Sequence, residues 1–360
     1  MMNCDLTIGN FDVLEYKNGV LKVAGWMLHP KKEFESLIVY INQHESGRAT
    51  LVKRDDVAKV FPYISHANNS GFIFVYKCSE EMGRRVDICI VGVSKDVMIA
   101  KMDMLYVIRG DYRSTFRDLY GDDFIFDIDS RDEMYHHLAQ HPDVKDPLDE
   151  YFHSGEMILM GLEDIFRELG YDFDQIKSFL DFACGYGRVT RFLIQKLSKD
   201  NITVSDIDNN AVDFCKKTFG VEGFYSVSNP SKLNHEKKYD VIFVASLFSH
   251  LALPFWTAWL KQLYNMLNSN GILIFSTHGT NLYLPFVDDE TKRDSEVTNN
   301  EFYYVNQSET GRLSAKEYGT TYVSSKFVEN FVSWNGLGDM LAFRPKKFCN
   351  FQDIYIIKHL

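Results

Sequence analysis

The sequence predicts a two-part chain, a small β-sandwich over residues 1–108 followed by an α/β domain over residues 151–360 whose sheet is mostly parallel. Three observations carry this. Up to about Val107 the apolar residues fall in short β-rich runs with half-buried alternation, as at Leu37, Val39, Ile41 and at Val86, Ile88, Ile90. Beyond residue 170, strands of four to six apolar residues alternate with helical stretches, the pattern of βαβ units with both sheet faces covered. Near the end, Leu337 to Phe343 and Phe351 to Ile357 are strand-like runs too close together for a helical crossover, which fits an antiparallel pair.

In the first part the strands are placed at Val20 to Leu28, Leu37 to Asn42, Arg48 to Val52, Gly71 to Lys77, Arg85 to Val93 and Val97 to Val107. Asn18-Gly19, His29-Pro30 and Ser46-Gly47 punctuate them, and Asp55 to Phe61 reads as one helical turn. Residues 109–150 mix charged and aromatic side chains without a sustained period and read as a connector. Its His136, His137 and His141 lack the spacing to carboxylates of a metal site. Met157, Ile158, Leu162, Ile165, Phe166 and Leu169 form an amphipathic helical stripe stopped by Gly170.

In the second part strands are placed at Ser178 to Phe182, Ile202 to Ser205, Gly223 to Val227, Val241 to Ser246 and Gly271 to Ser276. Helices are placed at Arg188 to Leu197, Asn210 to Phe219 and Pro254 to Leu267. Thr280 to Thr320 has no clear element and reads as a lid or binding loop beyond a strand's C-terminal end, where ligands bind in open α/β sheets.

Composition narrows the function. A hydrophobic share of 45% with 25% charged residues is that of a folded globular chain. The 39 basic against 50 acidic residues give a net charge of −11, which repels phosphate backbones, so no nucleic-acid partner is expected. Six scattered cysteines without a Cys-x-x-Cys pair suggest neither zinc nor a disulfide framework, and no metal is expected. No apolar run approaches the ~20 residues of a membrane span and no basic leader precedes one, so a cytoplasmic location is expected.

The chemistry concentrates in Phe179-Leu180-Asp181-Phe182-Ala183-Cys184-Gly185-Tyr186-Gly187-Arg188, a strand ending near a carboxylate, a small-residue turn, then a helix. Gly185 and Gly187 remove Cβ atoms where backbone approaches a ligand or takes positive φ, though glycines also serve plain turns. Asp206 ends the next strand 25 residues after Asp181, near the offset at which a carboxylate meets ribose hydroxyls. The alternative for Asp206 is a helix cap, a role better suited to Asp208. A nicotinamide-binding fold would want a third glycine where Thr190 stands. A carboxylate beside the loop suits an ammonium group better than a diphosphate, so the ligand implied carries a ribose and a cation.

These residues resemble the first motif of class I S-adenosylmethionine (SAM)-dependent methyltransferases. Val204-Ser205-Asp206-Ile207-Asp208 resembles their acidic ribose motif, and Tyr239 through Leu251 and Trp259 through Gly279 resemble the fourth and fifth strand regions. The resemblance implies a Rossmann-like sheet of seven strands with the last antiparallel, and SAM as cofactor. It implies Asp181 toward the methionine amino end, backbone approach at Ala183, Cys184, Gly185 and Gly187, Asp206 on the ribose, Ile207 against adenine, Val227 and Ser228 at the adenine edge, and Ala245 and Ser246 near the sulfonium. Tyr151 either closes over the methionine end or packs.

The combination of Cys184 to Arg188, Phe248-Ser249-His250-Leu251, Thr277-His278-Gly279 and Gln352-Asp353-Ile354 is similar to methyltransferases of bacterial surface-polysaccharide assembly. Gly25-Trp26, Arg54 to Val57 and Ser70-Gly71-Phe72 resemble an accessory module beside glycan-modifying enzymes. The function expected is methylation of a hydroxyl on a saccharide or glycan intermediate, with another small metabolite or a non-catalytic SAM-binding scaffold as alternatives. A homo-oligomer is left open. A hydroxyl acceptor needs a base, and His278 first, then His250, stand just past strand ends where the methyl group is expected. Each is equally readable as a hydrogen-bonding strut. Tyr283, Tyr303, Tyr304, Tyr318 and Tyr322, with Phe286, Phe302 and Trp334, offer rings for sugar faces or for lid packing.

Overall fold

The computed structural model describes residues 7–78, 82–280, 301–306 and 316–360. The chain divides into two compact units, Met1–Arg109 and Gly110–Leu360.

The first unit contains β1 (Ile8–Lys17), β2 (Val20–Leu28), β3 (Ser36–Ile41), β4 (His44–Val52), the short helix α1 (Asp55–Val60), β5 (Gly71–Lys77), β6 (Arg85–Ser94) and β7 (Val97–Val107). Asn18 and Gly19 both take positive φ, 52° and 74°, the backbone that a two-residue hairpin turn needs. The strands follow one hydrogen-bonded path, β1-β2-β5-β4-β3-β6-β7. The path runs through β4, whose first half pairs with β3 while Thr50 to Val52 pair with β5. Alternate residues of β2, β3, β5, β6 and β7 share one core, including Val23, Val39, Phe72, Ile88 and Met102.

The second unit opens with α2 (Tyr112–Tyr120), α3 (Glu133–Gln140) and α4 (Pro147–Leu169). The stretch expected to be a connector is thus folded structure. Asp111, Asp132 and Asp146 cap the three helices through side-chain oxygens, and Phe116, Phe124 and Leu138 lie in the core with Phe152 and Phe192. Gly170 ends α4 in the left-handed conformation, φ 71°.

Next come β8 (Phe179–Phe182), α5 (Thr190–Leu193), β9 (Ile202–Asp206), α6 (Asn209–Phe219), β10 (Glu222–Tyr225), β11 (Tyr239–Val244), α7 (Leu253–Asn265), β12 (Leu267–Gly279), β13 (Phe302–Val305), β14 (Thr320–Val323), α8 (Ser325–Trp334), β15 (Asp339–Phe348) and β16 (Gln352–Lys358). The order β10-β9-β8-β11-β12 is parallel, β16 runs antiparallel to β12, and β15 pairs with β16. Seven strands were expected and the described residues contain nine, because β13 and β14 form a further antiparallel hairpin on the end of β12. The expected helix from Arg188 shortens to the four residues of α5.

Each central strand is buried on both faces. Phe179, Val241, Phe243, Ile272 and Ile274 enter one core with α4 and α6, while Leu180, Phe182, Ile242, Leu273 and Phe275 enter the other with α7 and α8. Among the described residues no helix is long and apolar enough to cross a membrane.

Candidate functional site

The parallel register brings four strand ends to one edge. Phe182 pairs with Ser205, Tyr225 with Asp206, and Val244 with Phe275, so the loops after β8, β9, β11 and β12 open side by side. The strand order reverses between β8 and β11, the position where ligands bind in open α/β sheets.

The loop after β8 is set by backbone. Ala183, Gly185 and Gly187 take φ of 60°, 53° and 74°, so three left-handed residues wind it tightly. The two glycines differ in what surrounds them. A Cβ on Gly185 would meet nothing within 4 Å, so that position faces open space. A Cβ on Gly187 would strike the Phe219 ring and sit 3.0 Å from Cys215 Sγ, so Gly187 also lets the loop pack on α6. The fully buried Arg191 ties this loop to the segment after α2, its guanidinium donating to the carbonyls of Gly187, Ile125 and Asp127. Burial pushes the Cys184 thiol well above its ordinary range, which leaves it inert as a nucleophile.

Two carboxylates border the loop. Asp206 Oδ2 accepts from Gly185 N at 2.9 Å and Oδ1 from Asp208 N at 2.9 Å. A carboxylate oxygen has two lone pairs, so both oxygens keep capacity for hydroxyl donors. Burial raises its pKa, and the N–H groups of Asp208 and Gly185 draw it back. Asp208 is the helix cap, accepting from Asn210 N, and also accepts from the Tyr186 hydroxyl at 3.0 Å. Asp181 is buried, with Thr190 Oγ1 donating to its Oδ2 at 2.7 Å. Burial pushes Asp181 up to about 7, against the Thr190 bond and with the Asp206 charge. Its influence on a ligand therefore runs through its charge and the loop it holds.

Ile207, 42% exposed, leaves an apolar surface beside Asp206 that suits a flat base. Val227 is half-buried and Ser228 exposed, the latter accepting from Trp259 Nε1 through its carbonyl. Tyr151 is a correction to the expected set. It is fully buried, with its hydroxyl donated to Asp132 Oδ2 at 2.5 Å, and offers no surface to a ligand.

At the far end of the edge Ser246, expected near the sulfonium, and His278, expected as a base, are joined in one polar network by Ser276 and Gln352. Ser246, strained at φ 62°, donates its N–H to Ser276 Oγ at 2.8 Å. The hydroxyls of Ser246 and Ser276 both donate to Gln352 Oε1, at 3.1 and 2.6 Å. Gln352 Nε2 then faces Ser249 Oγ at 3.3 Å and His278 Nε2 at 3.4 Å. An amide N–H only donates, so His278 Nε2 accepts and the proton sits on Nδ1. Burial, followed by His250, lowers His278 to about 4. His250 Nδ1 donates to the Gly319 carbonyl at 2.9 Å, which makes Nε2 its basic nitrogen. The His250 ring stacks on Tyr318 at 4.8 Å and lies 6.0 Å from His278, which Tyr322 and Phe351 flank at 5.5 and 5.1 Å. Tyr283 and Phe286 lie outside the described residues, and no cluster of three metal-ligating side chains occurs among the described ones.

An open loop glycine, a ribose-suited carboxylate and an exposed apolar platform meet at the switch point, an arrangement that fits SAM. Residues 180–273 match the family described as methyltransferase domain. The malonyl-acyl-carrier-protein O-methyltransferase of Priestia megaterium is 29% identical over 112 residues, 31% of this chain and 40% of that protein. The enzyme of the same name from Halalkalibacterium halodurans is 27% identical over 121 residues, 32% of this chain and 44% of that protein. The chain thus spans about two fifths of the length of these curated relatives. Among solved structures, magnesium protoporphyrin IX methyltransferase from Synechocystis with bound S-adenosylhomocysteine (SAH) is similar at 13% identity and TM-score 0.42, over 69% of this chain and 98% of that one.

Proposed function

We propose that the protein methylates a hydroxyl of a saccharide or glycan intermediate with SAM, in the cytoplasm, as part of surface-polysaccharide assembly. The observation that carries the methyl transfer is the bond from Gly185 N to Asp206 Oδ2, which fixes an open backbone turn against a carboxylate at the sheet's switch point. When bound, SAM supplies an electrophilic methyl group on a sulfonium. Asp206 accepts from the ribose hydroxyls, Ile207 lies against the base, and the buried Asp181 lends negative charge to the amino-acid end. In-line displacement then depends on alignment, which contributes ~7 to 11 kcal/mol in well-oriented reactions.

For the acceptor, we place His250 ahead of His278 as the base on geometry. The Nδ1–H of His250 is spent on the Gly319 carbonyl, so Nε2 takes the hydroxyl proton, while burial leaves His278 a weak base with its proton on the other nitrogen. The rings of Tyr318, Tyr322 and Phe351 around the two histidines support a sugar, whose faces stack on aromatics. A second reading, favoured by the donor on His278 Nδ1, is a carboxylate acceptor, which needs no base; the curated relatives are named for malonyl-acyl-carrier-protein O-methylation. Incubation with labelled SAM and panels of sugars and acyl carboxylates tests both. An alkali-stable methyl ether supports the hydroxyl, an alkali-labile methyl ester the carboxylate, and no turnover on either panel counts against both.

A further inference from the structure

We propose that Arg188 binds the carboxylate of the cofactor's amino-acid end. The inference rests on the SAM reading and goes beyond it, because no motif assigns that anion a partner. Arg188 immediately follows Gly187, so it leaves the loop that carries the open Gly185 position. Its guanidinium is half-buried and donates through Nη1 to Ser154 Oγ at 2.9 Å. Ser154 sits on α4, whose neighbouring Gly155 lies so close to the Arg188 carbonyl that an added Cβ would stand 2.5 Å from it. The side chain is therefore held between the loop and α4 rather than trailing into solvent.

Among the described residues Arg188 forms an ion pair with no carboxylate, although its charge acts on Asp181 and draws that group's pKa down. Of the other guanidiniums near the loop, Arg191 is enclosed by carbonyls and rings and is out of reach of a ligand, and Arg131, over the Tyr186 ring, is paired with Asp129 through two hydrogen bonds. A half-buried cation whose one hydrogen-bond partner among the described residues is a neutral hydroxyl keeps donors for an anion, and guanidinium matches a carboxylate in two-point geometry. The ligand's charges complete the argument. The sulfonium, ammonium and ribose are complemented by Asp181 and Asp206, which leaves the ligand's one anionic group to the one cation of the loop that remains accessible.

Calorimetry on the full chain with two probes tests this. SAH carries the amino-acid end, and 5′-methylthioadenosine lacks it. Arg188→Ala should weaken SAH by about 10- to 100-fold and leave methylthioadenosine unchanged, and Arg188→Lys should keep part of the preference for SAH. Thermal unfolding of both variants without ligand checks that the loop is folded. An Arg188→Ala chain that binds SAH as the wild type does, or that weakens both probes alike, would overturn the assignment while leaving the SAM reading in place. A wild type that binds neither probe overturns the SAM reading, and this assignment with it.

Discussion

The Thr190 hydroxyl donates to Asp181 Oδ2 at 2.7 Å, inside the fold and behind the loop after β8. The residue that breaks the dinucleotide glycine pattern is thus the one that holds the buried carboxylate.

Asp181 makes binding depend on pH. Its folded value of about 7 lies above the ordinary 3.8, so its contribution to stability is present below pH about 4 and is lost as pH rises through about 7. A cation beside it favours the ionised form. SAM affinity should therefore rise with pH up to about 7 and then level off, by at most about tenfold per unit. Thr190→Val removes a bond to the ionised form and should move the levelling point upward. Calorimetry across the range in two buffers counts the released proton, and a flat profile would contradict the assignment.

Gly185 and Gly187 should separate binding from folding. Gly187→Ala adds a clash with Phe219 to left-handed strain and should cost about 2 to 4 kcal/mol of stability in urea unfolding. Gly185→Ala carries the strain alone, about 1 kcal/mol, and places a methyl in the open space, so its main effect should be on SAH affinity.

Ala183 is strained at φ 60° with a Cβ that the conformation disfavours. Ala183→Gly should stabilise the unit by up to about 1 kcal/mol, offset in part by the looser unfolded chain. Denaturant midpoints for the pair measure it, and a destabilised variant would show that the Ala183 methyl makes compensating contacts.

The two histidines should respond differently. His250→Gln should slow turnover on an accepted hydroxyl substrate by ~10²- to 10⁴-fold with SAH affinity nearly unchanged. His278→Gln should have the smaller effect, since its low pKa makes it a weak base. SAH-release assays beside calorimetry decide it, and the reverse order would restore His278 to the base role.

What the sequence disclosed follows from where the signal is local. The glycine loop, the Asp208 cap and the parallel strands are written in short-range spacing, and the structure holds each of them. Residues 110–150 escaped because their rings gain a period only against α4 and α5, as when Phe116 meets Phe152 and Phe192. Tyr151 looked available because nothing nearby in the chain announces Asp132 as its partner. Gln352 joins Ser246 and Ser276 from distant segments, so its role exists only once β11, β12 and β16 are side by side. Likewise nothing local in β4 announces that its first half pairs with β3 while Thr50 to Val52 pair with β5.

Titration of the full chain with SAH, set beside the Asp206→Ala variant, is the decisive measurement for the site. Wild type should bind saturably, one SAH per chain, and Asp206→Ala should weaken it by about 1 to 3 kcal/mol through unmade hydrogen bonds to the ribose and a loosened Gly185 turn. No heat of binding from a folded wild type, or an Asp206→Ala variant that binds equally well, would contradict the site.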